Sequence, residues 1–460
     1  TYTCGKRITK NRYMGMLFAV ILTLSSYHLD DIHIRAAAGE YTAFIFIPLV
    51  LYGLYNMFFE DFTKPWLLGF GMGFMLLSHT LSFIMCIVLI VILSIFNFDV
   101  FMKKPRIVTR LILTGLVTMA ATAFYWVPVI EQFLDTVFLV SNPWIMPSQE
   151  SVKLSSVFGF TFPTLGVGLM ILVIPRVLIF RNHNDSVMHF ADQCAAAGVI
   201  FAIAATDILP WKKLDRFLYT VQFPWRFYII ATVLIAFAAA ASIYRLAGAL
   251  YLGVSERPDE YDDEVKVTTD EMLVNSYGLV LGLVLIIMTI FAVYGYSNTQ
   301  MEYYDYSNDY FSYKPYTATV IACEWLPETV TEPSRLIDMS EHALDNSGNE
   351  VSFVRNRGRV TVTLTGGEEY VDVPLVYYKG YTAKGESGVK YAVDGSGENG
   401  LARVYTEGAA DVITVNYSGT ALQYISSIIS IAAFAAVWVV LLRIKKKIKE
   451  ERKQQAEGTE

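Results

Sequence analysis

Nine apolar runs govern what this 460-residue chain can fold into: about 13–29, 37–59, 66–98, 107–127, 164–180, 190–208, 227–250, 274–296 and 421–442. About 20 apolar residues in a helix cross the roughly 30 Å hydrocarbon core of a bilayer. Runs of this length point to membrane spans. Composition agrees. Hydrophobic residues make up 54% of the chain and charged residues 17%, against about 25% charged in ordinary soluble domains. A soluble enzyme, a disordered hub and a fibrous rod are excluded. The net charge of −7 and pI near 5.5 supply no basic groove for nucleic acid. The expected class is a multipass α-helical membrane protein whose first partner is the lipid bilayer.

Basic flanks set the expected topology. Lys6, Arg7, Lys10 and Arg12 place the N-terminus in the cytoplasm, and Lys103, Lys104, Arg106 and Arg110 claim the same side for the loop after 66–98. A single helix over 66–98 would be about 48 Å long. Both clusters lie inside only if that run crosses twice, turning near Ser78-His79-Thr80. The expected count is then about ten spans, with the basic tail from Arg443 to Lys453 also cytoplasmic. The acidic loop Ser255–Glu271 reads as a solvated linker. Cys4 and Cys323 fall on opposite sides and cannot pair, while Cys86 and Cys194 sit in apolar helices as small hydrophobes.

The expected domains are a transmembrane core over 1–296, an extracytoplasmic β-rich domain over 297–420, and a final span with a basic tail over 421–460. The middle segment opens on a tyrosine-dense stretch, Tyr294 to Tyr316, placed as an interfacial belt. From about 351 apolar residues alternate: Val360, Val362, Leu364; Val371, Val373, Leu375; Val389, Tyr391, Val393; and Val412 to Tyr417. Gly366-Gly367 and the run 395–400 supply turns, which predicts a small antiparallel sheet. This segment carries 9 Lys/Arg against 18 Asp/Glu, a charge of −9 that leaves +2 on the rest.

Polar chemistry concentrates in Tyr27-His-Leu-Asp30-Asp31-Ile-His33-Ile-Arg35-Ala-Ala-Ala-Gly39-Glu40. Charges at membrane depth cost about 2.5–3.5 kcal/mol each on insertion scales, so such a cluster marks a functional site by default. A helix starting near Asp31 would set Asp31 and Arg35 one turn apart, with Asp30 as its cap. An active-site wall and a capped structural turn are the two readings. His79, at the deduced outer turn, reads equally as a buried histidine bonded to a neighbouring carbonyl. Pro210-Trp211-Lys212-Lys213 through Gln222-Phe-Pro-Trp225-Arg226 suits an interfacial anchor or a phosphate clamp. No phosphate-binding glycine loop, nucleophile elbow or zinc motif is present in the sequence.

The string from Tyr27 to Glu40 with Phe46-Ile-Pro48-Leu resembles bacterial membrane proteins called 6-pyruvoyl-tetrahydropterin-synthase-related, neighbours of the YfhO-like family. Gln222-Phe-Pro-Trp-Arg226, Glu324-Trp-Leu-Pro327 and Pro374-Leu-Val-Tyr-Tyr-Lys-Gly-Tyr381 extend the resemblance along the chain. That family is similar to GT-C glycosyltransferases, which draw on polyprenyl-phosphate sugars at the outer face of the bacterial cytoplasmic membrane. The resemblance implies transfer to an envelope polysaccharide or teichoic acid. Asp30, Asp31 and Glu40 become candidate catalytic acids. His33, Arg35, His79, Gln222, Trp225 and Arg226 become candidate substrate ligands. No metal ligand is assigned, and a divalent cation stays open. The chain begins at Thr1, beyond the outer-loop acid that GT-C enzymes carry after their first span, so the expected base is Asp30, Asp31 or an upstream residue. The alternative is a non-catalytic protein that moves or presents lipid-linked sugars or scaffolds an envelope complex.

Overall fold

The structure, a computed structural model, describes residues 1–141, 145–179, 185–255, 263–298 and 325–457. Cys323, Glu324, the tyrosine-dense stretch beyond Asn298 and most of the acidic run 259–264 lie outside the described residues. Helices follow in the order α1 (Tyr2–Thr9), α2 (Arg12–Thr23), α3 (Ser26–His33), α4 (Ala38–Phe59), α5 (Pro65–Ser78), α6 (Thr80–Phe96), α7 (Phe98–Lys103), α8 (Arg106–Ala121) and α9 (Ala123–Asp135). Then come α10 (Pro147–Glu150), α11 (Val167–Ile171), α12 (Ile174–Leu178), α13 (Ser186–Ala204), α14 (Trp211–Leu218), α15 (Tyr228–Ser255) and α16 (Asp263–Asn298). After these lie α17 (Leu336–Met339), eight strands and α18 (Ala421–Glu457).

The chain divides into two units. One comprises Thr1–Met119 and Ile145–Glu302; the other comprises Ala120–Trp144 and Tyr303–Glu460. In this division α9 falls with the sheet and α18.

In the helical unit α15 is the central post. Every residue from Tyr228 to Ile243 is buried. Ala236 and Ala238–Ala241 line it with small side chains that let neighbouring helices approach. A Cβ on Gly198 of α13 would lie 2.8 Å from Ile235. A Cβ on Gly53 of α4 would lie 2.7 Å from the Leu68 amide of α5. The first pair meets backbone against side chain and the second backbone against backbone, close approaches that glycine permits.

Among the described residues, five helices are long and apolar enough to cross a membrane: Ala38–Phe59, Ser186–Ala204, Pro224–Gly248, Ser276–Asn298 and Ala421–Arg443. A sixth is added if α8 and α9 are joined across their break. Four expected spans are shorter. The 66–98 run breaks at His79, where the turn was expected, into helices of 14 and 17 residues. The 13–29 run breaks at Leu24, because the polar string beyond it coils into its own helix, α3. The 164–180 run forms two five-residue helices, entered through Gly166 at φ 87°. Twelve helical residues rise about 18 Å, short of the roughly 30 Å core. Ten crossings would need all four short helices to span.

In the second unit, β1 (Leu344–Asp345), β2 (Phe353–Asn356), β3 (Arg359–Thr363), β4 (Tyr370–Val376), β5 (Tyr381–Gly385), β6 (Lys390–Asp394), β7 (Leu401–Tyr405) and β8 (Val412–Tyr417) form one antiparallel sheet. Its strand order is β1-β4-β7-β6-β5-β8-β3-β2. Three of the four alternating runs read from sequence supply its core, while in the fourth Val389 is exposed and precedes β6. Val360, Val362, Val371, Val373, Val404, Ile413 and Val415 are all buried on the same apolar core. Pro374, which has no N–H to give the ladder, sits where the β4–β7 register shifts. The helices α9 and α18 pack together. Ser430 Oγ accepts from Phe124 N at 2.9 Å and donates to Ala120 O at 3.1 Å, satisfying backbone groups freed at the start of α9.

Candidate functional site

The polar string folds differently from the expected single helix start. Asp30 and Asp31 lie in the last turn of α3, and α4 begins only at Ala38, so Asp30 caps nothing. Between the two helices the chain turns tightly. Asp30 O accepts from both Ile34 N and Arg35 N, and Ala36 adopts φ 50°. This turn folds Arg35 back over α3 and swings Glu40, in the first turn of α4, toward Asp31. The Asp31–Arg35 pairing holds although Arg35 lies outside the helix.

Four segments meet at Glu40. Arg35 Nη1 donates to Asp31 Oδ1 at 2.6 Å and to Glu40 Oε2 at 2.7 Å. Arg226 Nε lies 3.6 Å from the same Glu40 oxygen. Tyr27 Oη donates to Glu40 Oε1 at 2.6 Å. Asp31 is fully buried and Glu40 is 2% exposed. Charges this deep persist only when paired and hydrogen-bonded. With both acids ionised, the two arginines bring the group to neutrality. Tyr27 was not assigned a role from sequence; its signal was the i, i+4 spacing that puts it on the Asp31 face of α3.

The Gln222-Phe-Pro-Trp-Arg motif supplies the opposing wall. Gln222 has φ 54° and ψ −56°, and Phe223 N donates to Val221 O across it, a γ-turn of the strained hand. Arg226 Nη1 donates to Val221 O and to Gln222 Oε1, both at 3.2 Å, so the guanidinium grips both sides of that turn. Trp225 is buried, and the Arg35 guanidinium lies over its ring, 4.3 Å from the centroid.

His79 reaches the site through backbone packing. A Cβ on Gly39 would sit 2.8 Å from Ser78 O, so the start of α4 rests on the α5–α6 break. The imidazole Nδ1 accepts from Ser82 N and meets Ser82 Oγ at 2.7 Å, capping α6. With Nδ1 accepting, the neutral ring carries its proton on Nε2. His33 takes another course: its ring lies edge-on to Tyr296 at 5.5 Å. Of the candidate residues, Asp31, Arg35, Glu40, Gln222, Trp225 and Arg226 are joined by direct contacts, His79 adjoins them, and His33 faces elsewhere.

Two acids have shifted protonation. Burial pushes the Asp30 carboxyl up to about 7, and among the described residues no donor bonds its side chain. For Asp31, burial and then the Glu40 charge raise the carboxyl to about 7 against the lowering pull of Arg35. Asp31 Oδ2 is buried without a hydrogen-bond partner. Acids near neutrality are suited to taking or giving a proton. Among the described residues, no three His, Cys, Asp or Glu side chains are grouped to hold a metal ion.

No protein-family model, no curated protein and no solved structure matches the chain.

Proposed function

We propose that this chain is a membrane glycosyltransferase of the GT-C kind, using a polyprenyl-phosphate sugar on the outer face of the bacterial cytoplasmic membrane. The observation that carries the reading is the convergence of Arg35 and Arg226, from segments far apart in sequence, on one oxygen of Glu40. Two guanidiniums at one point offer paired donors to a phosphate, which would compete with Glu40 for them. Asp30, unpaired and near neutrality, is the favoured base, with Asp31 beside it. It would take the acceptor hydroxyl proton as that oxygen bonds to the anomeric carbon. The anomeric carbon–phosphate oxygen bond breaks, and polyprenyl phosphate leaves with its charge held by the arginines. The acceptor class is an envelope polysaccharide or teichoic acid. This reading carries with it about ten crossings, both termini in the cytoplasm and the sheet outside.

The test uses the full chain in lipid nanodiscs with polyprenyl phosphate as probe. Arg35→Ala and Arg226→Ala should each weaken its retention, and Asp30→Asn should abolish transfer from a polyprenyl-phosphate sugar while sparing retention. Equal retention by wild type and both arginine variants would overturn the reading. Retention without transfer in the wild type would favour the non-catalytic alternative.

A further inference from the structure

The sequence left one stretch, from Pro210 to Arg226, with two readings, anchor or clamp. The structure separates them. Trp225 and Arg226 face the buried cluster, whereas α14 carries Lys212, Lys213, Arg216 and Phe217 on its exposed side. Phe217 is 76% exposed.

Chain continuity fixes the depth of this helix. The span Ser186–Ala204 ends shortly before α14, and the span Pro224–Gly248 starts shortly after it. A loop this short between two consecutive spans keeps α14 at the level where both leave the membrane. Side chains then lock it in place. Trp211 is buried, its Nε1 donates to Ala204 O at 3.1 Å, and its ring packs on Phe227 at the start of the second span. On the inner side Asp215 accepts from Ser148 N at 2.9 Å and from Ser148 Oγ at 2.5 Å. The one acid of α14 is thereby turned inward, and the three cations are left facing out beside an exposed phenyl ring. Exposed cations beside an apolar ring, at interface depth, form the pattern by which a short helix lies in the headgroup layer.

We propose that α14 is a docking surface for anionic phospholipids: Lys212, Lys213 and Arg216 hold headgroup phosphates while Phe217 inserts at the boundary with the acyl chains. The occupant follows from charge complementarity and from the enforced depth, and it does not depend on the glycosyltransferase reading. Each basic side chain near an anionic membrane surface gives a preference on the order of fivefold. Three of them would enrich an acidic lipid locally over a zwitterionic one.

The full chain, carrying a photoreactive benzoylphenylalanine at position 217, is reconstituted in vesicles of phosphatidylcholine mixed with phosphatidylglycerol. Adducts are identified by mass after illumination. Phosphatidylglycerol should exceed its share of the bilayer among the adducts. That excess should fall in Lys212→Gln/Lys213→Gln/Arg216→Gln, persist in Lys212→Arg/Lys213→Arg, and shrink with added salt. Adducts at the bulk lipid ratio, an excess untouched by the triple variant, or no lipid adduct at all would each overturn the proposal. The substituted side chains are exposed, so the variants should fold; unchanged thermal unfolding checks this.

Discussion

The Arg35 guanidinium lies over the Trp225 indole, 4.3 Å from its centroid, while its Nη1 holds Asp31 and Glu40. The ring and the two carboxylates together seat the cation. Lysine could keep the charge but not the planar stacking or the bridge. Arg35→Ala leaves two buried carboxylates with less compensation, a loss of about 3–5 kcal/mol. Arg35→Lys should recover only part of it. Thermal unfolding of the purified chain in one detergent ranks the three proteins. Equal midpoints for wild type and Arg35→Ala would show that the bridge does not hold the fold.

Asp30 makes stability depend on pH. Its folded carboxyl stands near 7 against an unreacted value of 3.8, raised by burial. A carboxyl raised by folding contributes stability while protonated, fully below its unfolded value, and loses that contribution as pH climbs through the folded value. Wild type should therefore weaken between about pH 4 and about pH 7 through this group. Asp30→Asn, always neutral, should remove that part of the slope and unfold at a higher temperature than wild type above neutrality. Parallel profiles for the two proteins would mean Asp30 is solvated.

The sheet was legible because its code is local. Val360, Val362, Val371 and Val373 alternate with polar residues, and period two can mean little else in a short run between glycines. The break at His79 was legible too, from the length of the run and the basic clusters on either side of it. Which apolar runs form long helices was not, since hydropathy over 13–29 and 164–180 does not reveal where a helix stops. Leu24 ends α2 because the polar string after it forms a separate helix, and Gly166 needs φ 87°, which no apolar count records. Within the site, the types and partners of Asp31 and Arg35 could be read from their spacing. The convergence of Arg226 on Glu40 depends on tertiary packing between α4 and the start of α15, as does the edge-on contact of the His33 ring with Tyr296.

Gly39 tests how firmly the α5–α6 break supports the site. A methyl group there would meet Ser78 O at 2.8 Å, a backbone atom with little room to retreat. Gly39→Ala should cost about 1–3 kcal/mol through overpacking. Gly115→Ala, in α8 with nothing within 4 Å, is the control. It should be neutral or stabilising by up to about 1 kcal/mol, the helix-propensity gain. Similar unfolding midpoints for the two variants would place the start of α4 away from Ser78.

Ser430 is the hinge pin of the second unit. Its single hydroxyl serves both Phe124 N and Ala120 O, and the residue is 3% exposed. Ser430→Ala should leave buried backbone groups without that partner, at a cost of about 1–3 kcal/mol. Ser430→Thr keeps the hydroxyl and should lose less. Hydrogen exchange at the Phe124 amide reads the effect directly: it should quicken in the alanine variant, and unchanged exchange would show that the bond is not formed.

Gln222 separates backbone strain from side-chain function. Its φ of 54° with ψ of −56° places a side-chain-bearing residue in the strained γ-turn. Strain of this kind costs on the order of 1–3 kcal/mol and glycine bears it more easily. The amide does something glycine cannot, since Gln222 Oε1 receives Arg226 Nη1 at 3.2 Å and helps aim the guanidinium at Glu40. Gln222→Gly should therefore match or exceed the thermal stability of wild type and still retain less polyprenyl phosphate, with a smaller loss than Arg226→Ala because the Val221 carbonyl continues to accept from Arg226. Gln222→Ala should lose both, being strained and without the amide. A glycine variant that is less stable than the alanine one would show that the turn is not strained; one that binds as wild type would show that Arg226 needs no help from Gln222.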